Sequence, residues 1–283
     1  MRRFNADAIP FSAFLLGENL CQYYIKRFEI MNDKLQPVLV LIATFGMIVF
    51  NYFASTGILG GVTPNVVTDK YSMQITPAGY AFAIWRLIYL GCIAFSIYQL
   101  LPSQFERFRP LRRIYIVSCA ANCAWLYLWS REMVVVCLGV ILMLLATLAF
   151  INVRLQKTET AGEYWFAKFP FGIYFGWVTA ATILNATIAL VALGVKTADS
   201  TAILIGAVLL LAAAALGVII RLKLTNYFYP LAIAWALTAI AVKQSGKTLI
   251  VAAAAVGVIA CLIAALSFVM NMPSSEKRAE TSA

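Results

Sequence analysis

Apolar residues run in long, nearly unbroken stretches along this chain, and polar residues collect in short intervals between them. A stretch of about 18–25 apolar residues is long enough, as a helix, to cross a hydrocarbon core about 30 Å thick. Such stretches recur near 37–57, 79–101, 113–130, 133–154, 168–193, 201–220, 227–242 and 248–270. The pattern predicts an all-α, polytopic membrane helix bundle of about eight transmembrane helices, the third and seventh being the shortest. Composition agrees: 63% of residues are hydrophobic, 12% are charged and the mean hydropathy is +0.86. A soluble exterior needs about a quarter of its residues charged.

The cations report on topology. Of the 22 Lys and Arg, Lys70, Arg131, Lys196, Lys243 and Lys247 lie in alternate loops, and Arg86 lies within a span. The remaining 16 fall in the intervening loops and the two ends. Cytoplasmic loops carry the excess of Lys and Arg, so both termini are expected on the cytoplasmic side of an integral membrane protein. An even number of spans is required, and eight satisfies it. The net charge of +10 is thereby accounted for by topology, and no nucleic-acid partner is implied. With no histidine in the chain, His-ligated haem, most zinc sites, Ser-His catalysis and histidine proton relays are excluded. The six cysteines are scattered. Cys119 and Cys123 share a helix face, where small buried apolar packing is the expected role. No catalytic group and no metal site is assigned.

Four regions follow from texture. Residues 1–36 form an N-terminal extension without a spanning segment or a signal-peptide order, since "AFLLG" is too short for an h-region. Within it "ENLCQYYIKRFEIM" suits an interfacial helix or a loose end. Residues 37–195 are rich in aromatics and hold Trp85, Trp125, Trp129, Trp165 and Trp177. Residues 196–270 are Ala-rich, as in "LLLAAAALGVII", and read as a three-helix addition lying outside any ligand site. Small residues let helices approach closely in lipid, where packing drives association. The tail 271–283 is polar and expected to be disordered.

Several side chains are out of place in a plain membrane span. Trp129 and Trp165 lie at span ends, where indoles form interfacial belts. Trp85 and Trp177 lie well inside their spans, and a buried indole N–H needs an acceptor. In the second span Thr76 suits the N-cap and Pro77 the first turn, and Phe82, Trp85 and Tyr89 then fall on one face. In the fifth, Tyr174, Trp177 and Asn185 make a similar stripe beside the small residues Gly172, Gly176 and Ala180. Asn122 and Trp125 come from the third. Together these suggest an apolar, aromatic pocket with a few polar fixing points. Arg86 is the sharpest signal, because a charge at bilayer depth costs about 3 kcal/mol or more. It can snorkel to the headgroups, take an inward-folded Asp69 as partner, or await an acidic group on a ligand. Lys243 reads as a snorkelled interfacial lysine.

"TPAGYAFAIWRLIYLG", "SCAANCAWLYLW" and "FPFGIYFGWVTAATILN", in that order and spacing, resemble the TspO/MBR family of tryptophan-rich sensory proteins, which includes the translocator protein or peripheral benzodiazepine receptor. Thr76, Pro77, Trp85, Leu87 and Tyr89 match its second helix, Asn122 and Trp125 its third, and Tyr174, Trp177, Ala181, Thr182 and Asn185 its fifth. The resemblance covers residues 37–195. It implies a five-helix unit, often a homodimer, that binds porphyrins and other lipophilic small molecules beneath its first loop. Roles in tetrapyrrole handling and stress response, and light-dependent porphyrin breakdown, come with it. The chain departs from the family at Ile75, where the motif has Trp, and at Ala78, where it has a second Pro. The end of the fifth span, "ALVALGVK", lacks the tyrosine of the sterol-recognition pattern, so sterol binding is unsupported. With its extra C-terminal helices the chain looks like an extended member, in a plasma, inner or thylakoid membrane.

The functional expectation is a binding protein without a covalent cofactor that takes a porphyrin-like ligand. Trp85 and Trp177 stack on it, Tyr89, Asn122 and Tyr174 fix its polar edge, Arg86 meets an acidic substituent, and Trp125 and Asn185 complete the ligand-binding set. A secondary transporter of a lipophilic anion and an assembly subunit of a membrane complex are the rival readings. The topology is directly testable: reporter fusions after Lys196 and after Lys223 should report opposite sides of the membrane. Reports from the same side would overturn the eight-span arrangement.

Overall fold

The computed structural model describes residues 35–58, 62–71 and 73–270. The N-terminal extension, save its last two residues, and the polar tail lie outside the described residues. Every described element is helical. Helix α1 spans Leu35–Ser55, and a short α2 follows over Pro64–Lys70. Helix α3 spans Ile84–Tyr98 behind a 3-10 turn at Gly79–Ala83. After it come α4 over Phe105–Ser130, α5 over Val134–Arg154 and α6 over Ala161–Ala192. The chain ends in α7 over Asp199–Leu224, α8 over Tyr229–Lys243 and α9 over Thr248–Met270.

Each predicted span has its helix, and six of them (α1, α3 together with its 3-10 turn as Gly79–Tyr98, α5, α6, α7 and α9) are long and apolar enough to cross a membrane. The other two are the pair read as short. Helix α8 has only 15 residues, about 22 Å at 1.5 Å per residue. Helix α4 differs in the opposite sense: it starts well before the predicted 113, at Phe105, and its first turns carry Arg107, Arg109, Arg112 and Arg113.

Those cations are built into the fold. Arg112 is fully buried and donates from Nε to Gln99 Oε1 at 2.8 Å and from Nη2 to the Phe105 carbonyl at 2.8 Å. Gln99 in turn donates to the Pro37 carbonyl at 3.0 Å, so one arginine ties α4 to the ends of α3 and α1. Arg107 grips Glu163 through two contacts, at 3.0 and 3.3 Å. Glu163 also belongs to the helix start that Thr160-x-x-Glu163 encodes: Thr160 Oγ1 accepts the Glu163 N–H at 3.1 Å. Helix α6 therefore begins at Ala161 rather than at the predicted 168, and a wide π turn over Tyr164–Lys168 precedes Pro170, which has no N–H to donate.

At the same end of the bundle Phe95, Phe108, Tyr115 and Phe171 pack edge to face, with centroids 4.8 to 5.6 Å apart, and join α3, α4 and α6. Edge-to-face pairs add to burial because positive ring edges meet negative faces.

The small face of α6 has a definite partner. A Cβ placed on Gly176 would lie 2.5 Å from the Tyr229 carbonyl oxygen and 2.9 Å from the Ala232 Cβ, so only glycine lets α8 approach this closely. One turn earlier, a Cβ on Gly172 would lie 2.4 Å from Asn226 Oδ1. That Asn226 side chain accepts the N–H groups of Phe228 and Tyr229, at 3.0 and 3.3 Å, and so caps the start of α8. Its Nδ2 donates to Asn152 Oδ1 of α5 at 2.9 Å. Tyr229 then donates its hydroxyl to Thr179 Oγ1 at 2.9 Å. The polar anchor and the glycine seam together set α8 against α6.

Gly176→Ala should accordingly destabilise the folded protein by about 1–3 kcal/mol, the usual cost of overpacking a tight contact. Gly139, on α5, has nothing within 4 Å of an added Cβ, so Gly139→Ala serves as the control. Thermal unfolding in detergent measures both, and equal stability of the two variants would contradict the seam.

Candidate functional site

A cavity of about 910 Å³ opens among α1, α2, α3, α4, α6 and α8. Its floor is a set of rings delivered by three helices. Trp85 of α3 stacks on Tyr89 at 5.5 Å, meets Tyr174 edge to face at 5.8 Å, and lies 6.4 Å from both Trp125 and Trp177. Phe82 reaches Trp177 at 5.9 Å, and Trp125 stacks on Trp129 at 5.8 Å. The spacing explains the grouping, since Trp85 and Tyr89 share one face of α3 and Phe82, in the 3-10 turn before it, continues that face.

A polar relay runs from the half-buried Tyr89 into the buried space behind the rings. Tyr89 donates to Asn51 Oδ1 at 2.5 Å, Asn51 Nδ2 donates to Asn122 Oδ1 at 2.8 Å, and Asn122 Nδ2 donates to the Tyr174 hydroxyl at 3.0 Å. The relay joins α3, α1, α4 and α6 and fixes the orientation of the rings in front of it. Buried amides of this kind specify one packing when every member is satisfied.

Of the residues expected at the site, Trp85, Arg86, Tyr89, Trp125 and Trp177 line the cavity, and Asn122, Tyr174 and Asn185 do not. Asn122 and Tyr174 are occupied by the relay and support the wall from behind, so they have no free polar edge to offer. Asn185 is buried away from the cavity, with neither amide atom hydrogen-bonded. Two other expectations change. Trp129 is no belt residue: it is 3% exposed, lines the cavity and donates Nε1–H to the Pro64 carbonyl at 3.2 Å. Trp165, by contrast, is exposed at the start of α6, as a belt residue would be. Thr76 does not cap α3, whose first turn starts at Gly79 after an extended Ala78; its hydroxyl accepts the Met73 N–H at 2.8 Å.

That change has a cause in α8. The Ala78 N–H donates to the Ala239 carbonyl at 3.0 Å, and Gln244 Nε2 donates to the Met73 carbonyl at 2.7 Å. Trp235 donates its indole N–H to the Ala81 carbonyl at 2.9 Å. The segment leading into α3, a turn over Met73–Thr76 followed by the extended Ala78, is held against α8, and Ala236 and Ile240 of α8 enter the cavity wall. The three C-terminal helices therefore do not all lie outside the pocket.

The wall has two chemical sides. Asn51, Ser55, Thr63, Thr68 and Arg86 bring polar groups from α1, α2 and α3, whereas Ala180, Ala181, Leu184, Ala236 and Ile240 make the α6–α8 side apolar. Arg86 is the only Arg, Lys, Asp or Glu among the lining residues. Its side chain is exposed, and among the described residues it has no ion pair or hydrogen bond. Asp69, the acid nearest in sequence, pairs instead with Lys243 at 3.3 Å. Lys70 forms a close ion pair with Glu132, and that hydrogen bond raises the lysine pKa. Two indole N–H groups of the wall, on Trp125 and Trp177, are buried without a protein acceptor. Among the described residues no group of side chains is arranged to hold a metal ion. The arrangement can bind a flat apolar molecule, offer it hydrogen-bond donors and meet one negative charge.

Sequence reasoning missed Asn51, Trp129 and the α8 residues. Asn51 carried a usable signal, as an amide inside an apolar span. No curated protein and no solved structure matches the chain. A protein-family model described as TSPO-like protein matches residues 37–268, which takes in the aromatic cavity and, beyond the 37–195 covered by the motifs, nearly all of α7–α9. With most of its length inside that match, this helical membrane protein belongs to the TSPO-like protein family.

Proposed function

We propose that the cavity binds a lipophilic, acid-bearing tetrapyrrole or a similarly flat molecule, and that the protein works in tetrapyrrole handling or stress sensing with both termini on the cytoplasmic side. One observation carries the reading: Arg86 faces an indole-walled cavity, and no acid among the described residues neutralises it. A cation beside an apolar site is stable when its partner arrives with the ligand. The volume falls within the range of about 300–1,000 Å³ usual for small-molecule sites. A large π surface gains most from Trp85, whose ring is half-buried and presents part of itself to the cavity.

Binding is tested at Arg86. Arg86→Leu should weaken a porphyrin with free propionates and leave its neutral dimethyl ester nearly unchanged. A charge-assisted hydrogen bond is worth about 1.5–3 kcal/mol, so the loss should be roughly tenfold to a hundredfold, read by fluorescence titration. Arg86→Lys should restore only part of it, because an ammonium cannot present two parallel donors. Equal effects on diacid and ester would assign Arg86 to the lipid headgroups instead.

A further inference from the structure

We infer that α8 is the element that selects the ligand, by the size of the uncharged edge that it admits; the inference rests on the ligand class proposed above. Helix α8 gives the wall only Ala236 and Ile240, both apolar, while the wall's one cation comes from α3. A molecule whose acid meets Arg86 and whose polar atoms meet the α1–α2 side leaves its uncharged edge for the α6–α8 side, because an unpaired polar group there would be buried at a cost. Ala236 and Ile240 also stand between two spaces. Behind them a narrow apolar crevice of about 20 Å³ continues toward Leu209, Leu210 and Ala213 of α7. The crevice and the main cavity share Ile75, Ala180, Leu184, Ala236 and Ile240, so these side chains are the partition between them.

The partition is held in place from both ends of α8. Asn226 caps its start and Gly176 fixes its approach, while Gln244 and the Ala78–Ala239 bond tie its far half to the chain entering α3. A larger residue at 236 thus narrows the apolar side without moving the aromatic floor, and a smaller one at 240 joins the crevice to the cavity. The two changes act in opposite directions on one quantity, the tolerated width of the uncharged edge.

Two porphyrins make the test. Protoporphyrin and deuteroporphyrin carry the same two propionates, but the first has two vinyl groups where the second has hydrogens. Affinities of both are measured on the full-length protein in detergent, for wild type, Ala236→Leu and Ile240→Ala. A group of this size in an apolar pocket is worth roughly tenfold or more. Ala236→Leu should therefore weaken protoporphyrin about tenfold more than deuteroporphyrin, and Ile240→Ala should shift the ratio toward protoporphyrin. If Ala236→Leu does not elute as a folded species, the direction of the Ile240→Ala shift decides. Affinities that change in parallel for the two ligands overturn selection by α8 and leave the proposed function standing. A wild-type protein that binds neither porphyrin overturns both.

Discussion

The contact between Gly176 and the backbone at Tyr229 is the constraint on which the rest of the site depends. In lipid there is no hydrophobic gain from bringing two helices together, so association rests on close packing and on satisfied polar groups. Gly172 and Gly176 provide the first, and the Asn226–Asn152 and Tyr229–Thr179 bonds provide the second. Because α8 is seated this deeply, its far half lies beside the segment entering α3. The backbone of 73–78 turns at Met73–Thr76 and is tied to α8 at both ends instead of winding into the helix from Thr76. The cavity exists in the space that this leaves.

A second constraint works from the opposite wall. Tyr89, Asn51, Asn122 and Tyr174 form a chain of hydrogen bonds across four helices, so each of these polar groups has a partner and the tyrosine rings have fixed positions. The indoles in front differ in that respect. Trp129 and Trp235 have backbone acceptors, while Trp125 and Trp177 have none. Two unsatisfied indoles and the unpaired guanidinium belong to residues of this one cavity wall, while Asn185, away from the cavity, is buried unsatisfied as well.

The eight helices were legible from hydropathy because the lipid solvent imposes it on every turn, and the aromatic face of α3 was legible because its spacing is helical. What hydropathy could not reveal was which side of a polar group faces which neighbour. Asn122 and Tyr174 look identical to site residues in sequence, yet they satisfy each other. Arg112 reads as one more loop cation and is a fully buried tie between α1, α3 and α4. Trp129 sits where belts form, but a short α2 folds over it and supplies an acceptor. The role of α8 was hidden for a similar reason: an Ala-rich helix carries no chemical signature, and its entry into the wall follows from two glycines on another helix. The small-xxx-small face was visible in α6, but its partner was not.

The central claim is that one aromatic cavity, floored by Trp85 and Trp177, is where this TSPO-like protein takes its ligand. Quenching of intrinsic fluorescence by protoporphyrin in the purified protein tests it most directly, since Trp165 lies exposed and apart from the cavity as an internal control. Saturable quenching is predicted for wild type and for Trp165→Phe, with loss of the saturable phase when Trp85 and Trp177 are both replaced by Leu. Saturable binding that survives the double replacement, or disappears with Trp165, would contradict the account.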